Sequence, residues 1–352
     1  NPGVGGTWYE NTYPGCRVDV GNHFYCYSFE PNLDWKEFFA RQPELQRYFA
    51  NTARKYGVEP HIRFNTEVQA ADFDAATGEW RVRVQAKDGA TETLRARVLI
   101  SGVGQLNRPK LPDIDGLDRF RGPAFHSACW DHSVSLAGKR VAVIGSGASA
   151  FQLVPEIATQ AAQVYTFQRT PQWMFPNPDY HRAVSPGANW CFRHLPYYGR
   201  WYRFLLFWPA TDGTWEGTFV DPEWPHQERS INAINEFTRE MFAGWIRQQC
   251  GDDEALLRRV LPEYPPLARR TLQDNGSWLQ ALRRDNVQLV DHEVKGLTET
   301  AVRTADGREF EVDAVVYATG FHANRYLWPM RITGRDGVRL DEQWGDDPAA
   351  YL

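Results

Sequence analysis

Apolar positions in this chain cluster in short, bounded runs. Val141–Ile144 is one unbroken run and Val164–Phe167 is another. Between them, Ala150–Ala162 has a helix-like pattern, so residues 139–170 predict strand, helix and second strand. Glu67–Phe73, Trp80–Gln85 and Thr93–Ser101 predict an antiparallel meander, with turns at Ala76-Thr77-Gly78 and Lys87-Asp88-Gly89. Asn286–Val290, Glu293–Leu297, Ala301–Thr304 and Glu309–Thr319 repeat that pattern, again with an Asp-Gly turn, Asp306-Gly307. Gly102 follows Gly89 by thirteen residues and Gly320 follows Gly307 by thirteen, each closing an apolar run, Arg97–Ser101 or Asp313–Thr319. This internal repeat predicts two dinucleotide-type domains. One is built on 139–170, and the other has its own strand–helix–strand unit expected upstream of Asn1.

Two stretches break the pattern. Residues 35–56 predict a helix carrying Trp35, Phe38, Phe39, Leu45, Tyr48, Phe49 and Tyr56, with Pro43 as a break. Residues 174–266 are rich in Trp, Tyr, Phe, Pro and Arg and predict a mostly helical insertion. Within it Ile231, Ile234, Phe237, Met241 and Trp245 recur at helical steps across Pro225–Gln249. The longest apolar run, Phe204–Ala210, falls far short of the ~20 residues of a membrane span. The chain opens without Met in a Gly-rich loop and ends at Tyr351-Leu352 without a closing element, so an internal fragment of a longer protein is expected.

The chemistry begins at the turn between strand and helix. Gly145-Ser146-Gly147-Ala148-Ser149-Ala150 is a GxGxxA turn placed between a strand and a helix. In that context Gly145 permits the tight turn, Gly147 lets backbone approach a pyrophosphate, and Ala150 lets helix and strand pack closely. The pyrophosphate would sit on free N–H groups at the helix N-terminus. An NAD site usually carries an acidic residue at the end of the second strand. Here that place holds Arg169-Thr170, a cation and a hydroxyl that suit a 2′-phosphate and so predict NADPH. Net charge is −5 over 352 residues, which suggests no nucleic-acid or polybasic membrane partner. The five cysteines (Cys16, Cys26, Cys129, Cys191, Cys250) have neither CxxC nor metal spacing, and with no signal peptide they predict reduced thiols and a cytoplasmic protein. No metal is expected.

Phe120-Arg121-Gly122-Pro123-Ala124-Phe125-His126-Ser127-Ala128-Cys129-Trp130-Asp131 reads FxGxxxHxxxWD and precedes the glycine turn. This resembles the fingerprint of type I Baeyer–Villiger monooxygenases, enzymes that use FAD and NADPH. Gly5-Gly6-Thr7-Trp8 through Tyr13-Pro14-Gly15 to Asp19 is similar to their second signature, and Tyr317-Ala318-Thr319-Gly320 also matches. Pro265-Pro266-Leu267-Ala268-Arg269-Arg270 through Asp274-Asn275-Gly276 looks closest to the 4-hydroxyacetophenone monooxygenase branch. The flavin-binding GxGxxG of the family is absent from these residues.

The resemblance implies an α/β fold: paired Rossmann-like dinucleotide-binding domains for FAD and NADPH, antiparallel β-meanders and a mostly helical insertion. It places an FAD-binding domain at 1–135, an NADPH-binding domain at 136–176 with 267–311, the insertion at 177–266 and a return to the FAD domain at 312–352. It implies that reduced flavin takes up O2 as a C4a-peroxide, which attacks a ketone and yields an ester or lactone. Arg270 is then the catalytic cation, held by Asp19, with Arg269 beside the 2′-phosphate. Thr7, Trp8, Tyr9, Glu10, Arg17, Val18, Asp19 and Tyr25 fall where the family contacts flavin or nicotinamide, and Val68 falls on the adenine side of FAD. His126 is implied in domain motion. The substrates implied are O2 and a small ketone, which an aromatic one would satisfy, and oligomers are compatible with the sequence.

Three other functions compete. A flavin monooxygenase acting on N or S centres would keep the fold, but the Trp130-Asp131 ending argues against it. A pyridine nucleotide–disulfide reductase needs a redox cysteine pair that this sequence lacks. A nucleotide-binding remnant without activity needs only the NADPH site.

Overall fold

The computed structural model describes residues 1–209, 211–345 and 348–349. Ala210, at the end of the expected apolar run, and the terminal Tyr351-Leu352 lie outside the described residues. In chain order the elements begin with α1 (Thr7–Glu10), α2 (Gln42–Lys55), β1 (Thr66–Asp74), β2 (Glu79–Ala86) and β3 (Thr91–Ala96). Next come β4 (Ala124–His126), β5 (Arg140–Ile144), α3 (Ala148–Ile157) and β6 (Gln163–Phe167). β7 (Met174–Pro176) opens the insertion, which holds α4 (Pro186–His194), α5 (Tyr198–Phe207), α6 (Asp212–Trp215), α7 (Ala233–Cys250) and α8 (Glu254–Val260). β8 (Leu272–Asp274), α9 (Ser277–Leu282), β9 (Val287–Val290), β10 (Val294–Leu297), β11 (Ala301–Thr304), β12 (Glu309–Glu311), β13 (Ala314–Tyr317), β14 (Arg331–Thr333) and α10 (Leu340–Trp344) complete the order. The chain divides into two compact units. One gathers Asn1–Glu10, Phe49–Lys110 and the described residues from Gly320 onward, and the other Asn11–Tyr48 and Leu111–Thr319.

The first unit is built on a four-stranded sheet in the order β14-β1-β2-β3, antiparallel through β1, β2 and β3 and parallel between β1 and β14. Val82 and Val84 point into a small core with Ala71, Trp80, Leu94, Leu99 and Ile332, while Arg81 and Arg83 face outward, as the two-residue period requires. The apolar pattern predicts a third strand reaching Ser101. It ends at Ala96, because Ala96 already pairs with Trp80 and its partner β2 begins one residue earlier. The apolar run beyond stands in water: Val98 is 71% exposed and Ile100 is 88% exposed.

The second unit contains a five-stranded all-parallel sheet in the order β4-β13-β5-β6-β9. Val141–Ile144 and all of β13 are buried, which is why these central strands read as continuous apolar runs. The expected strand Glu309–Thr319 is two strands. β12 stays in the antiparallel sheet β10-β11-β12, and β13 crosses into the parallel sheet. Asp313 stands at the crossing, accepting the Arg140 N–H at 2.8 Å and its Nη2 at 2.9 Å. The run at 286–290 likewise forms β9 of the parallel sheet rather than joining the second meander. A domain return at residue 312 does not fit this pairing, since β13 is bonded to β5 along its length.

Three helix expectations also shift. α3 runs from Ala148 to Ile157, not 150–162; Pro155 lies in its last turn, and loss of a backbone donor there favours an early stop. Residues 35–41 are not helical, and Pro43 sits in the first turn of α2, where a missing N–H costs nothing. α7 begins at Ala233 rather than near Pro225, because the Asn232 side chain accepts the Asn235 N–H at 2.8 Å and caps it. The insertion is mostly helical as expected, and all five cysteines are free thiols. No helix among the described residues is long and apolar enough to cross a membrane.

Candidate active site

At the end of β5 the chain turns through Gly145, whose φ is +116°. A side chain there would place its Cβ 2.4 Å from the Ala318 carbonyl oxygen, so both conformation and space demand glycine. Two residues on, Gly147 precedes α3 with no side-chain cap, and a Cβ on it would meet nothing within 4 Å. No side chain caps the start of α3, and its first-turn N–H groups are the donor type that suits an anionic pyrophosphate. Ala150 is fully buried and lets the helix settle onto the sheet. Ser146 Oγ donates to the Thr170 carbonyl at 3.3 Å, tying the turn to the end of β6.

That strand end carries the charge. Arg169 is exposed, and no ion pair forms on it among the described residues. Tyr264 donates its hydroxyl to the Pro171 carbonyl at 3.1 Å, and the Arg269 guanidinium lies over the Tyr264 ring at 4.9 Å. The sequence separates Arg169 and Arg269 by a hundred residues; Tyr264 bridges their neighbourhoods. A guanidinium and a hydroxyl at this strand end, Arg169 and Thr170, are donor types that suit a 2′-phosphate.

Arg270 and Asp19 are in direct contact, guanidinium Nη2 on carboxylate Oδ2. Asp19 is mostly buried, whereas the Arg270 side chain is 55% exposed. The structure thus joins the two residues assigned to the catalytic pair, 251 positions apart. An arginine so held is a fixed cation that keeps its proton, a donor set suited to charge on oxygen.

The loop that carries Asp19 is pinned to α3. Gln152 accepts from the Tyr13 hydroxyl at 2.9 Å and from the Arg17 N–H at 3.3 Å, and its amide donates to the Arg17 carbonyl at 3.0 Å and to the Tyr180 hydroxyl. Gly15, φ +82°, passes so close that a Cβ would lie 2.4 Å from the Gln152 carbonyl. The Tyr-Pro-Gly signature is therefore the seam between this loop and the nucleotide helix. Gln152 went unmarked in the sequence; its one signal is a polar residue among the buried Ala150, Phe151, Leu153 and Val154. Burial pushes the Cys16 thiol up to about 12 and raises the Tyr13 hydroxyl, so neither serves as a nucleophile or base.

The other expected contacts divide between the units. Arg17 is buried with Nη1 on Glu37 at 2.8 Å and on the Tyr180 carbonyl at 3.0 Å, so its charge already holds the loop. Val18 is buried and donates its N–H to Ala40, and Tyr25 is half-buried. In the first unit, Thr7, Trp8, Tyr9 and Glu10 form α1, with Trp8 buried and Glu10 accepting from the Asn1 amide at 2.9 Å. Val68 lies on β1 opposite Val84, beside a bulge. The fingerprint residues form a packed strap. Phe120 packs on the core beside β13, Gly122 passes the Asp313 carbonyl, and Trp130 meets Phe125 edge-on at 5.0 Å. His126 is buried with Nδ1 accepting the Ala128 N–H at 3.1 Å, which places any ring proton on Nε2. Asp131 accepts from the Ser133 N–H and hydroxyl.

The pattern of the flavin-binding monooxygenase-like family matches residues 11–181. An uncharacterised monooxygenase of Sinorhizobium fredii is 39% identical over 350 residues, covering 99% of this chain and 53% of the relative. A Baeyer–Villiger monooxygenase of Pseudomonas aeruginosa is 36% identical, covering 99% of this chain and 63% of its own. The chain therefore spans between about half and two thirds of these curated relatives. Among solved structures, OTEMO in complex with FAD and NADP superposes with a TM-score of 0.83 at 33% identity, covering 100% of this chain and 72% of that one. A cyclohexanone monooxygenase from Rhodococcus sp. Phi1 bound to NADP+ gives 0.82 at 30% identity, covering 99% and 70%. With this identity over nearly its whole length, the chain belongs to the flavin-binding monooxygenase-like family.

Proposed function

We propose that this protein acts as an FAD- and NADPH-dependent Baeyer–Villiger monooxygenase, inserting one oxygen atom of O2 beside a ketone carbonyl to give an ester or lactone. The second oxygen leaves as water, with NADPH supplying the two electrons. FAD, when bound, supplies the carrier between NADPH and O2. The remaining chemistry belongs to this chain. The α3 amides and the Gly145–Ala150 turn hold the pyrophosphate, and Arg169, Thr170 and Arg269 hold the 2′-phosphate. Relatives solved with FAD and NADP support both cofactors. By cofactor, the second unit serves NADPH, and Val68 in the first unit serves the adenine side of FAD. Thr7, Trp8, Tyr9, Glu10, Arg17, Val18 and Tyr25 are assigned to the flavin and nicotinamide ends, and His126 to NADPH-linked domain motion.

The contact between Arg270 and Asp19 is the observation that carries the reading. Addition to a ketone carbonyl puts negative charge on oxygen, and a pre-placed guanidinium stabilises it without reorganisation. Asp19 orients the guanidinium and does not meet the oxygen. The segment from Pro265 to Gly276 supports the 4-hydroxyacetophenone branch and hence an aryl ketone as substrate. Five free cysteines support a cytoplasmic setting.

Removing Arg270 tests this. In the holoenzyme, Arg270→Ala is expected to keep oxidising NADPH while ester formation falls roughly a hundred- to thousandfold, with hydrogen peroxide released instead. Chromatography of the ester beside absorbance of NADPH separates the two. Ester at the parent rate would remove Arg270 from the chemistry and make Arg269 the next candidate, and sulfide oxidation with no ester from any ketone would favour an S-oxidising enzyme.

A further inference from the structure

Arg269 and Arg270 lie on an irregular segment between α8 and β8, and one helix holds both ends of that segment. Near the start of α7, Asn235 is fully buried and its Nδ2 donates to the Pro266 carbonyl at 2.9 Å and the Gly217 carbonyl at 3.0 Å. Further along α7, Trp245 Nε1 donates to Asp274 Oδ2 at 2.9 Å, where the segment has become β8. Asp274 is itself fully buried and also accepts the Gly276 N–H. The ten residues from Asn235 to Trp245 span about 15 Å of helix. The chain from Pro266 to Asp274 could reach about 27 Å if extended, so it has slack between its anchors, and the two arginines sit in that slack.

The slack is taken up in an unusual conformation. Leu267, directly after the anchored Pro266, has φ +67°. A leucine stays in left-handed backbone only where its surroundings hold it there. Asn235 is such a hold, and the Leu267 side chain lies 3.8 Å from where a Cβ on Gly217 would stand. The Oδ1 of Asn235 is buried without a partner. Both amide hydrogens are in use and the oxygen is idle, so what this position supplies to the fold is its two donors. From Leu267 the chain carries Arg269 to Tyr264 and Arg270 to Asp19.

We propose that Asn235 is a positioning residue for the Arg269–Arg270 segment, keeping Arg270 in register with Asp19 through its bond to Pro266. The kinetic consequence rests on the role proposed for Arg270; the clamp itself does not.

Tryptic cleavage after Arg269 and Arg270 in the folded full chain reads the clamp without any activity, with cleavage at the exposed Arg283 and Arg284 as internal control. Asn235→Leu fills the space without donors and is expected to speed cleavage at Arg269 and Arg270 roughly tenfold while the control sites are cut as before. Asn235→Ala removes the same two donors without adding bulk and is expected to act at the same two sites, which keeps the comparison available if Asn235→Leu does not fold. In the holoenzyme, Asn235→Leu should lower ester formed per NADPH consumed, and in an Arg270→Ala background it should lower it no further. Unchanged cleavage in the folded variants, or acceleration spread evenly over the control sites, would overturn the proposal. Parent-level ester from Arg270→Ala would instead sink the functional reading and leave the cleavage result to decide the clamp.

Discussion

Burial takes both ring nitrogens of His23 out of water and gives neither a partner. The ring stacks on Phe192 at 4.0 Å and meets Tyr202 edge-on at 5.1 Å, an environment that rejects a charged imidazolium. Burial accordingly lowers its pKa to about 4, and His181 falls to about 4 as well, through burial first and then the nearby Arg17 and Arg41 charges. In the unfolded chain both would titrate at the usual value near 6.5. Between those values the unfolded state binds more protons than the folded one, so stability is fully present above about pH 6.5 and is lost as pH falls toward 4. For His23 the loss amounts to about 3 kcal/mol at most. His23→Phe keeps the ring stack and removes the proton. Thermal melts should show the variant gaining on the parent as pH drops from 8 to 5; a gain independent of pH would mean that packing, not protonation, sets the difference.

At the level of elements, agreement between sequence and structure follows the range of the forces involved. The strand–turn–helix–strand at 139–170 was legible because each piece is fixed locally: two buried apolar runs, a glycine turn and a helix start. The pairing of Arg270 with Asp19, and the role of Arg269, were expected from motif resemblance alone, since no local rule connects residues so far apart. Where the structure departs from the local pattern, a tertiary partner decides. β3 stops where β2 runs out, Glu309–Thr319 splits where Asp313 meets Arg140, and Pro43 opens a helix that it was expected to break. Gln152 and Asn235 were invisible because a buried amide shows its worth only through carbonyls contributed by other segments. The start of α7 is an intermediate case, since Asn232 is a good cap but the apolar spacing extends past it. Its side chain also donates to the Glu216 and Phe219 carbonyls, at 2.9 and 2.7 Å. Asn232→Ala should therefore cost about 1–2 kcal/mol, toward the upper end of capping effects. A lower urea midpoint at unchanged slope would check it, and an unchanged midpoint would show that the cap contributes nothing.

For the whole molecule, the division into two units makes nucleotide binding a local event with a global readout. The cradle at Gly145–Ala150, the cation at Arg169 and the ring-supported Arg269 all belong to the second unit. A nucleotide that binds only the folded state stabilises it by about 2.7 kcal/mol at a hundred times its dissociation constant. NADP+ should therefore raise the unfolding temperature, and hydrogen exchange should slow at the first turn of α3 and at Thr170, while the amides of β1, β2 and β3 in the first unit exchange as before. The 2′-phosphate is what separates NADP+ from NAD+, and an exposed guanidinium gains from it only through a charge-assisted bond. Arg169→Ala should remove about 1.5–3 kcal/mol of that preference, roughly ten- to a hundredfold in relative affinity, and bring the NADP+ shift toward that of NAD+. A variant that loses both nucleotides equally would mean that Arg169 shapes the strand end rather than reading the phosphate. Protection centred on β1–β3 would place the nucleotide in the other unit altogether.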